Sequence, residues 1–301
     1  MALIVLTSAA GSPGVTSTAV GLTLAWHRSA ILVDADPGAF QAVLAGYLRG
    51  QLPTEKGLQR VAEAHRDRRR LVEVISDETV PLTDQPVAGA VEPAAQADAA
   101  DHSTAASSRR LLPGFVRPAN AALFSSVWAD LADALVDYGR AGIDVLLDAG
   151  RMDAQGLPQP LVDRADLVAL MLASDLRSVA AARNAATTLR ERSAGEPNLG
   201  LILRGENQPY GRREIARQLG LPAVSVIADD PESARVFSDG ARRPRRFDRS
   251  PLVRSLQAAV DDLNATIRRR QTRLEDPREP MPIGAGGWLS AGMWPGGDRD
   301  A

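Results

Sequence analysis

The stretch SAAGSPGVTSTAVGL (residues 8–22) follows a short apolar run, ALIVLT (2–7), and leads into a segment with helical character. Strand, glycine turn and helix in that order form the frame of a phosphate-binding loop. Glycines let backbone N–H groups approach an anion, and the helix N-terminus adds its dipole. Against the pattern G-x-x-x-x-G-K-[ST], Gly11 takes the first place, Thr16 stands for the second glycine, Ser17 stands for the lysine, and Thr18 supplies the magnesium-binding hydroxyl. Only the first and last of the fixed positions match. A plain glycine turn joining strand to helix therefore competes on equal terms with a nucleotide site.

The surrounding chain sets the fold. Short apolar runs AILVD (30–34), DVLLD (144–148), LVALML (167–172), LGLIL (199–203) and AVSVI (223–227) alternate with longer helical patterns, and RRLLPG (109–114) offers a shorter strand. Nearly continuous apolar strands separated by helices predict an α/β fold, with a mostly parallel sheet flanked by helices on both faces. Helices are expected over 15–26, 40–48, 55–70, 122–138, 176–191, 212–219 and 251–268. The last carries Val253, Leu256, Val260, Leu263 and Ile267 at helical spacing, which is the pattern of a core-facing stripe. Residues 1–267 read as one domain. A low-complexity insertion rich in Ala, Pro, Asp and Ser is expected at about 84–108, and a basic, then Pro/Gly-rich flexible tail at 268–301. Trp288 and Trp294 in that tail suit docking on the body or on a partner.

Composition narrows the chemistry. The 301 residues carry a net charge of -2 and no cysteine, which excludes disulfides, thiolate metal sites and a cysteine nucleophile. His27, His65 and His102 lack ligand spacing. No apolar run reaches membrane-spanning length and no signal peptide is recognisable, so the expectation is a cytoplasmic chain, brought to a membrane or pole only by a partner. Among 35 basic residues there is one lysine, Lys56, and cationic tasks therefore fall to arginine.

Carboxylates sit where such a fold binds ligands. Asp34 and Asp36 follow the second strand in ILVDADPGAF (31–40), and Asp148, followed by Gly150, ends DVLLD. Aspartates in these places suit magnesium coordination and the positioning of an attacking water. The competing reading is that they cap the helices that follow.

Taken together, the loop, the DADPG segment (34–38) and DVLLDAGR (144–151) resemble the ParA/MinD family of deviant-Walker ATPases, which includes the TadZ/CpaE pilus-locus proteins. That family's loop reads K-G-G-x-G-K-[ST]. On it Ser12 falls at the signature lysine, Pro13 and Gly14 at the two glycines, Thr16 at the next glycine and Ser17 at the Walker lysine. DADPG resembles the switch D-x-D-P-Q with Gly38 in place of glutamine, and DVLLDAGR resembles Walker B. LPAVSVIADDPESARVFSDG (221–240) and SPLVRSLQAAVDDL (250–263) resemble the end of the family domain, and GSPGVTSTA (11–19) resembles a loop variant of actinobacterial MinD-like proteins described beside pilus or secretion genes.

The resemblance implies a P-loop NTPase fold with ATP and Mg2+ as cofactors and nucleotide contacts from Gly11, Ser12, Pro13, Gly14, Val15, Thr16, Ser17 and Thr18. It implies Thr18, Asp36 and Asp148 at the metal, with Asp36 catalytic. It also implies a homodimer serving a pilus, secretion or division apparatus through a protein partner. Both family lysines are serine here, so weak or absent ATP binding and little hydrolysis are expected. Arg151 is the candidate replacement cation, and Asn207 the candidate reader of the base. Two alternatives stand beside this one. The first is an active ATPase that dimerises on ATP. The second is a partition-type protein binding DNA through arginine clusters at 242–254 and 268–273.

Overall fold

Alternate residues of the first apolar run serve two different cores. Leu3 and Val5 pack into one, Ile4 and Leu6 into the other, as they must in a strand covered on both faces. The same alternation recurs in Ile31 and Val33 against Leu32, and in Val145 and Leu147 against Leu146. The computed structural model describes residues 2–9, 13–38, 41–51, 56–82, 107–117, 121, 123–153, 155–193, 198–206 and 209–275.

In chain order the elements are β1 (Leu3–Ser8), α1 (Val15–Ala25), β2 (Ala30–Asp34), α2 (Leu58–Arg66), α3 (Leu71–Glu78), β3 (Val80–Pro81) and β4 (Arg109–Leu112). They continue with α4 (Trp128–Arg140), β5 (Asp144–Arg151), α5 (Gln159–Arg164), β6 (Leu167–Ala173), α6 (Leu176–Arg192), β7 (Leu199–Arg204), α7 (Arg212–Leu219), β8 (Ala223–Ile227), α8 (Pro231–Asp239) and α9 (Pro251–Glu275). The eight strands form one sheet in the order β3-β4-β2-β5-β1-β6-β7-β8. All neighbours are parallel except β3 with β4, which are antiparallel. One face is covered by α1, α8 and α9, the other by α2 to α7. The predicted α/β architecture is therefore the observed one.

A buried polar clamp holds the edge of the sheet where β1 and β5 begin. The Asp144 carboxylate accepts from the Ala2 backbone N–H at 2.7 Å, the Trp26 indole N–H at 2.8 Å and the Arg28 guanidinium at 2.6 Å. Each oxygen of this fully buried group has a partner, which is the condition for a buried charge to be tolerated.

Three helix expectations need correction. Over 40–48 the structure has a single π-helical turn, Val43–Tyr47, preceded by Gln41 at φ 59. Packing overrides the helical pattern there: Gly46 lies so close to α8 that a Cβ on it would stand 2.1 Å from the Ser238 carbonyl oxygen. The helix predicted over 55–70 stops at Arg66, where a turn with Arg68 at φ 57 redirects the chain into α3. The helix expected over 122–138 divides into a 3-10 turn, Leu123–Ser126, and α4, with Phe124, Trp128 and Phe115 stacked edge to face at the junction. At the other end of the chain, α9 runs on to Glu275, past the predicted end at 268. Most of the expected insertion and the tryptophan-bearing tail lie outside the described residues. Ser108, the insertion's last residue, accepts from the Ala30 N–H beside β4.

Candidate functional site

The carboxyl ends of β1, β2 and β5 converge on one edge of the sheet. Asp34 and Asp148 stand opposite each other in the register of β2 and β5, and the Ala35 N–H donates to the Asp148 carbonyl at 2.8 Å. Between β1 and β5 the register slips after Leu6, so that Ser8 faces Arg151. Such an irregularity re-aims the residues that follow it. Gly150 there adopts φ +60, its N–H donates to Asp148 Oδ1 at 2.8 Å, and its carbonyl accepts from the Thr7 hydroxyl at 3.1 Å. A Cβ on Gly150 would lie 2.1 Å from Asp36 Cγ, so the absence of a side chain is what lets Asp36 reach the centre of the edge.

Above these strands α1 begins. Gly14 at φ 88 turns the chain into the helix without a side-chain cap, and Thr18 N–H is the first to bond back, to the Gly14 carbonyl at 2.9 Å. The amides of the first turn therefore remain available to an anion. Nothing would meet a Cβ on Gly14, so glycine serves conformation at this position and not clearance. Gly14, Thr16, Ser17, Asp36, Gly150 and Arg151 line a cleft of ≈ 640 Å³.

The acids beneath this cleft are unusual in their burial. Neither Asp34 oxygen has a hydrogen-bond partner, and Asp148 Oδ2 has none. Removal from water, aided by the Asp148 charge, pushes the Asp34 carboxyl up to about 8. Burial likewise raises Asp148 to about 6, opposed by the Thr16 hydroxyl and the Gly150 amide. Asp36 is half-buried and accepts from the Gly38 N–H at 2.7 Å, which orders the DADPG turn.

The structure thus gathers Gly14, Val15, Thr16, Ser17, Asp36 and Arg151 on one cleft with Asp148 beneath it, and places Pro13 and Thr18 beside it. Gly11, Ser12 and Asn207 lie outside the described residues. Lys56 does not join the site: its ammonium donates to the Asp77 carbonyl at the end of α3, at 2.5 Å. Among the described residues no three His, Asp or Glu side chains come together to hold a metal. Asp36 and the Asp148 oxygen without a partner are oxygen donors of the kind that hold Mg2+ mainly through water and phosphate, whereas Thr18, expected beside them, lines the hollow on the other side of the α1 turn.

A second hollow lies on the other side of the α1 turn. Pro13, Gly14, Ser17 and Thr18 form one wall of this ≈ 230 Å³ cavity, and the ends of β7 and β8 form the opposite wall. Arg204 and Asp229 approach each other there at 3.9 Å, while Asp230 caps α8 by accepting from the Ser233 N–H at 3.2 Å. Asp229 was not singled out in the sequence; the DDP run that starts α8 was its only signal.

The two arginine clusters differ. In the first, Arg242, Arg245, Arg246, Arg249 and Arg254 are exposed and make no ion pair among the described residues, whereas Arg243 stacks 5.1 Å from the Phe247 ring. In the second, Arg270 is tied to the Ala165 and Asp166 carbonyls at 3.0 and 2.6 Å. Among the described residues no helix is long and apolar enough to cross a membrane.

No protein-family profile matches the chain. The uncharacterized protein Rv3660c of Mycobacterium tuberculosis is 38% identical over 117 residues, covering 38% of this chain and 32% of that protein. The chain therefore aligns with about a third of the length of the curated relatives it matches. Among solved structures, the MinD cell division protein of Aquifex aeolicus superposes with a TM-score of 0.63 at 15% identity, over 88% of this chain and 98% of that one. A ParA family ATPase from Chlorobium tepidum gives 0.62 at 13% identity, over 86% and 98%. The septum site-determining protein MinD from Pyrococcus horikoshii, complexed with Mg-ADP, gives 0.59 at 14% identity, over 89% and 98%. The chain has the MinD/ParA-like P-loop fold.

Proposed function

We propose that this chain is a MinD/ParA-like positioning or assembly factor whose nucleotide site binds ATP weakly or not at all and hydrolyses little. One observation carries the reading. The cleft keeps the uncapped first turn of α1 and the Asp36 and Asp148 carboxylates, yet among the described residues the only basic side chain lining it is Arg151. Mg2+, when bound with a nucleotide, would neutralise phosphate charge, held by Asp36 and Asp148. Asp36 would orient the attacking water, while the Ser17 hydroxyl donates a hydrogen bond but brings no charge to the phosphoryl group being transferred. A site of that kind holds a phosphate chain better than it cleaves one.

The fold it shares with the MinD of Aquifex aeolicus motivates the positioning role. Homodimerisation and a protein partner in a pilus, secretion or division apparatus belong to the same proposal. The purified chain is expected to show no Mg2+-dependent ATP hydrolysis above that of Asp36→Ala. Robust turnover that Asp36→Ala abolishes would overturn the reading in favour of an active switch, as would dimerisation driven by a nonhydrolysable ATP analogue in light scattering.

Arg151 serves in this reading as the remaining cation at the phosphates. Replacing it with alanine should weaken nucleotide binding by roughly tenfold, the worth of one charge-assisted hydrogen bond. An unchanged affinity in calorimetric titration would remove it from the site.

DNA binding is the second reading, favoured by the exposed Arg242, Arg245, Arg246, Arg249 and Arg254 and by the exposed Arg268 and Arg269, whereas Arg270 is tied to the body. Binding to random duplex should fall steeply with salt. No binding at low ionic strength would dispose of it.

A further inference from the structure

We propose that the hollow between the α2–α3 turn and α4 is a docking site for an acidic segment of a partner protein. It shares no lining residue with the phosphate cleft and does not depend on nucleotide binding.

Arginine is a strained choice for the turn in HRDRRR (65–70). Arg68 stands there at φ 57, a left-handed conformation that glycine adopts without cost. Arg49, at φ 53, uses its guanidinium inside the fold, on the Gly240 carbonyl at 2.7 Å. Arg68 has no such use. Its side chain and that of Arg69 are exposed and make no hydrogen bond or ion pair among the described residues. Strain kept for a side chain that the fold does not employ points to a task outside the fold.

Across the hollow, α4 presents Asp130, Asp133 and Asp137 at helical spacing. Each is already engaged. Asp130 accepts from the His65 ring at 2.9 Å, Asp137 from Arg140 at 2.7 Å, and both oxygens of Asp133 from Arg164. Arg70 is engaged as well, by Glu73 at 2.8 Å. The charge left over is therefore positive and lies on Arg68 and Arg69. Arg66 adds to it, since its contact with Asp67 is a loose 4.0 Å.

The lining names the chemistry of the occupant. The hollow measures ≈ 670 Å³, and its apolar part is Leu71, Val72 and Ala134. Such a surface seats an aliphatic side chain, while an arginine fork grips a carboxylate through two N–H groups. A peptide with aspartate or glutamate beside a leucine supplies both. A nucleic acid does not, because its backbone carries a charge at every step and would run against the carboxylate row of α4.

The experiment selects a random dodecapeptide library on the immobilised full chain and measures the selected peptides by fluorescence anisotropy. They are expected to be rich in Asp and Glu around an aliphatic residue, and to bind Arg68→Gly/Arg69→Ser at least ~10-fold more weakly. Glycine suits φ 57, so that variant should keep or raise the thermal midpoint, which separates lost docking from lost fold. Arg213→Ser/Arg217→Ser removes two exposed arginines from α7 and should leave affinity unchanged. Peptides without acidic enrichment, or equal losses in the two variants, overturn the docking site. A random DNA duplex that loses affinity in Arg68→Gly/Arg69→Ser while the peptides do not assigns the surface to nucleic acid and overturns it too. Two further outcomes name a different occupant and also refute a partner protein. Acidic peptides that bind only after Glu92, Asp98 and Asp101 are replaced by their amides would show that the chain's own acidic stretch fills the hollow. A dimer that Arg68→Gly/Arg69→Ser turns into a monomer in light scattering would show that a second copy does.

Discussion

Asp34→Asn is expected to make the protein more stable at alkaline pH and to flatten its stability against pH. In the fold the Asp34 carboxyl titrates near 8, while in the unfolded chain it titrates near its ordinary 3.8. Between these values the unfolded state releases a proton that the folded state keeps, so stability falls as pH rises from about 4 to about 8. Above that range the full cost of a buried, unpartnered carboxylate is present. At 1.36 kcal/mol per unit the ceiling is roughly 6 kcal/mol. Asp148 adds a smaller loss of the same sign, complete by about pH 6. Asparagine keeps the shape of the protonated acid and never ionises. Urea unfolding at pH 5 and pH 8.5, in EDTA, checks this: wild type should lose several kcal/mol across the range, and the variant much less. Equal pH slopes would mean that Asp34 finds a partner when charged.

Ser17→Lys should raise affinity for nucleoside triphosphates by roughly 10- to 100-fold, the range of one hydrogen bond to a charged group. Ser17 sits in the first turn of α1 and lines both hollows, so an ammonium there projects over the same turn whose amides face the anion. It would also face a cleft floored by Asp148, whose free oxygen offers it an internal counter-charge while no ligand is bound. Calorimetry with ATP and with GTP measures the gain for each. A change below about twofold would show that the added charge is neutralised by Asp148 or that the turn does not meet the phosphates.

The sequence made the central architecture legible because its physics is local. Strands buried on both faces must be continuously apolar, and AILVD, DVLLD, LVALML, LGLIL and AVSVI satisfy that without reference to the rest of the chain. The positions of Asp34, Asp36 and Asp148 at strand ends followed directly. What escaped depends on distant packing. β3 is two residues long and contains a proline, so its antiparallel pairing with β4 leaves no periodic trace. The π turn at Val43–Tyr47 is imposed by Ser238, almost two hundred residues away in the chain. The break at Arg68 is hidden in the charged run HRDRRR (65–70), which looks like a solvated helix face. The helix α8 was not among the expected ones, although Asp230 caps it and Pro231 stands in its first turn. Within the site the carboxylates were foreseen as metal ligands. The lack of hydrogen-bond partners for both Asp34 oxygens and for Asp148 Oδ2 was not, because only the closed sheet removes water from these side chains.

The placement of β1 bears on how the chain reaches this state. Its two neighbours in the sheet are β5 and β6, so residues 3–8 must find partners that begin at Asp144 and Leu167. During synthesis the segment LIVLTS leaves the ribosome long before either partner exists, and this apolar stretch has no strand of its own sheet to pair with in that interval. Long-range parallel pairing of this kind is slow and exposes such segments to aggregation. The central strand of the finished sheet is thus the segment that waits longest for its place, and chaperone dependence in the cell would fall most heavily on the chain's first few residues.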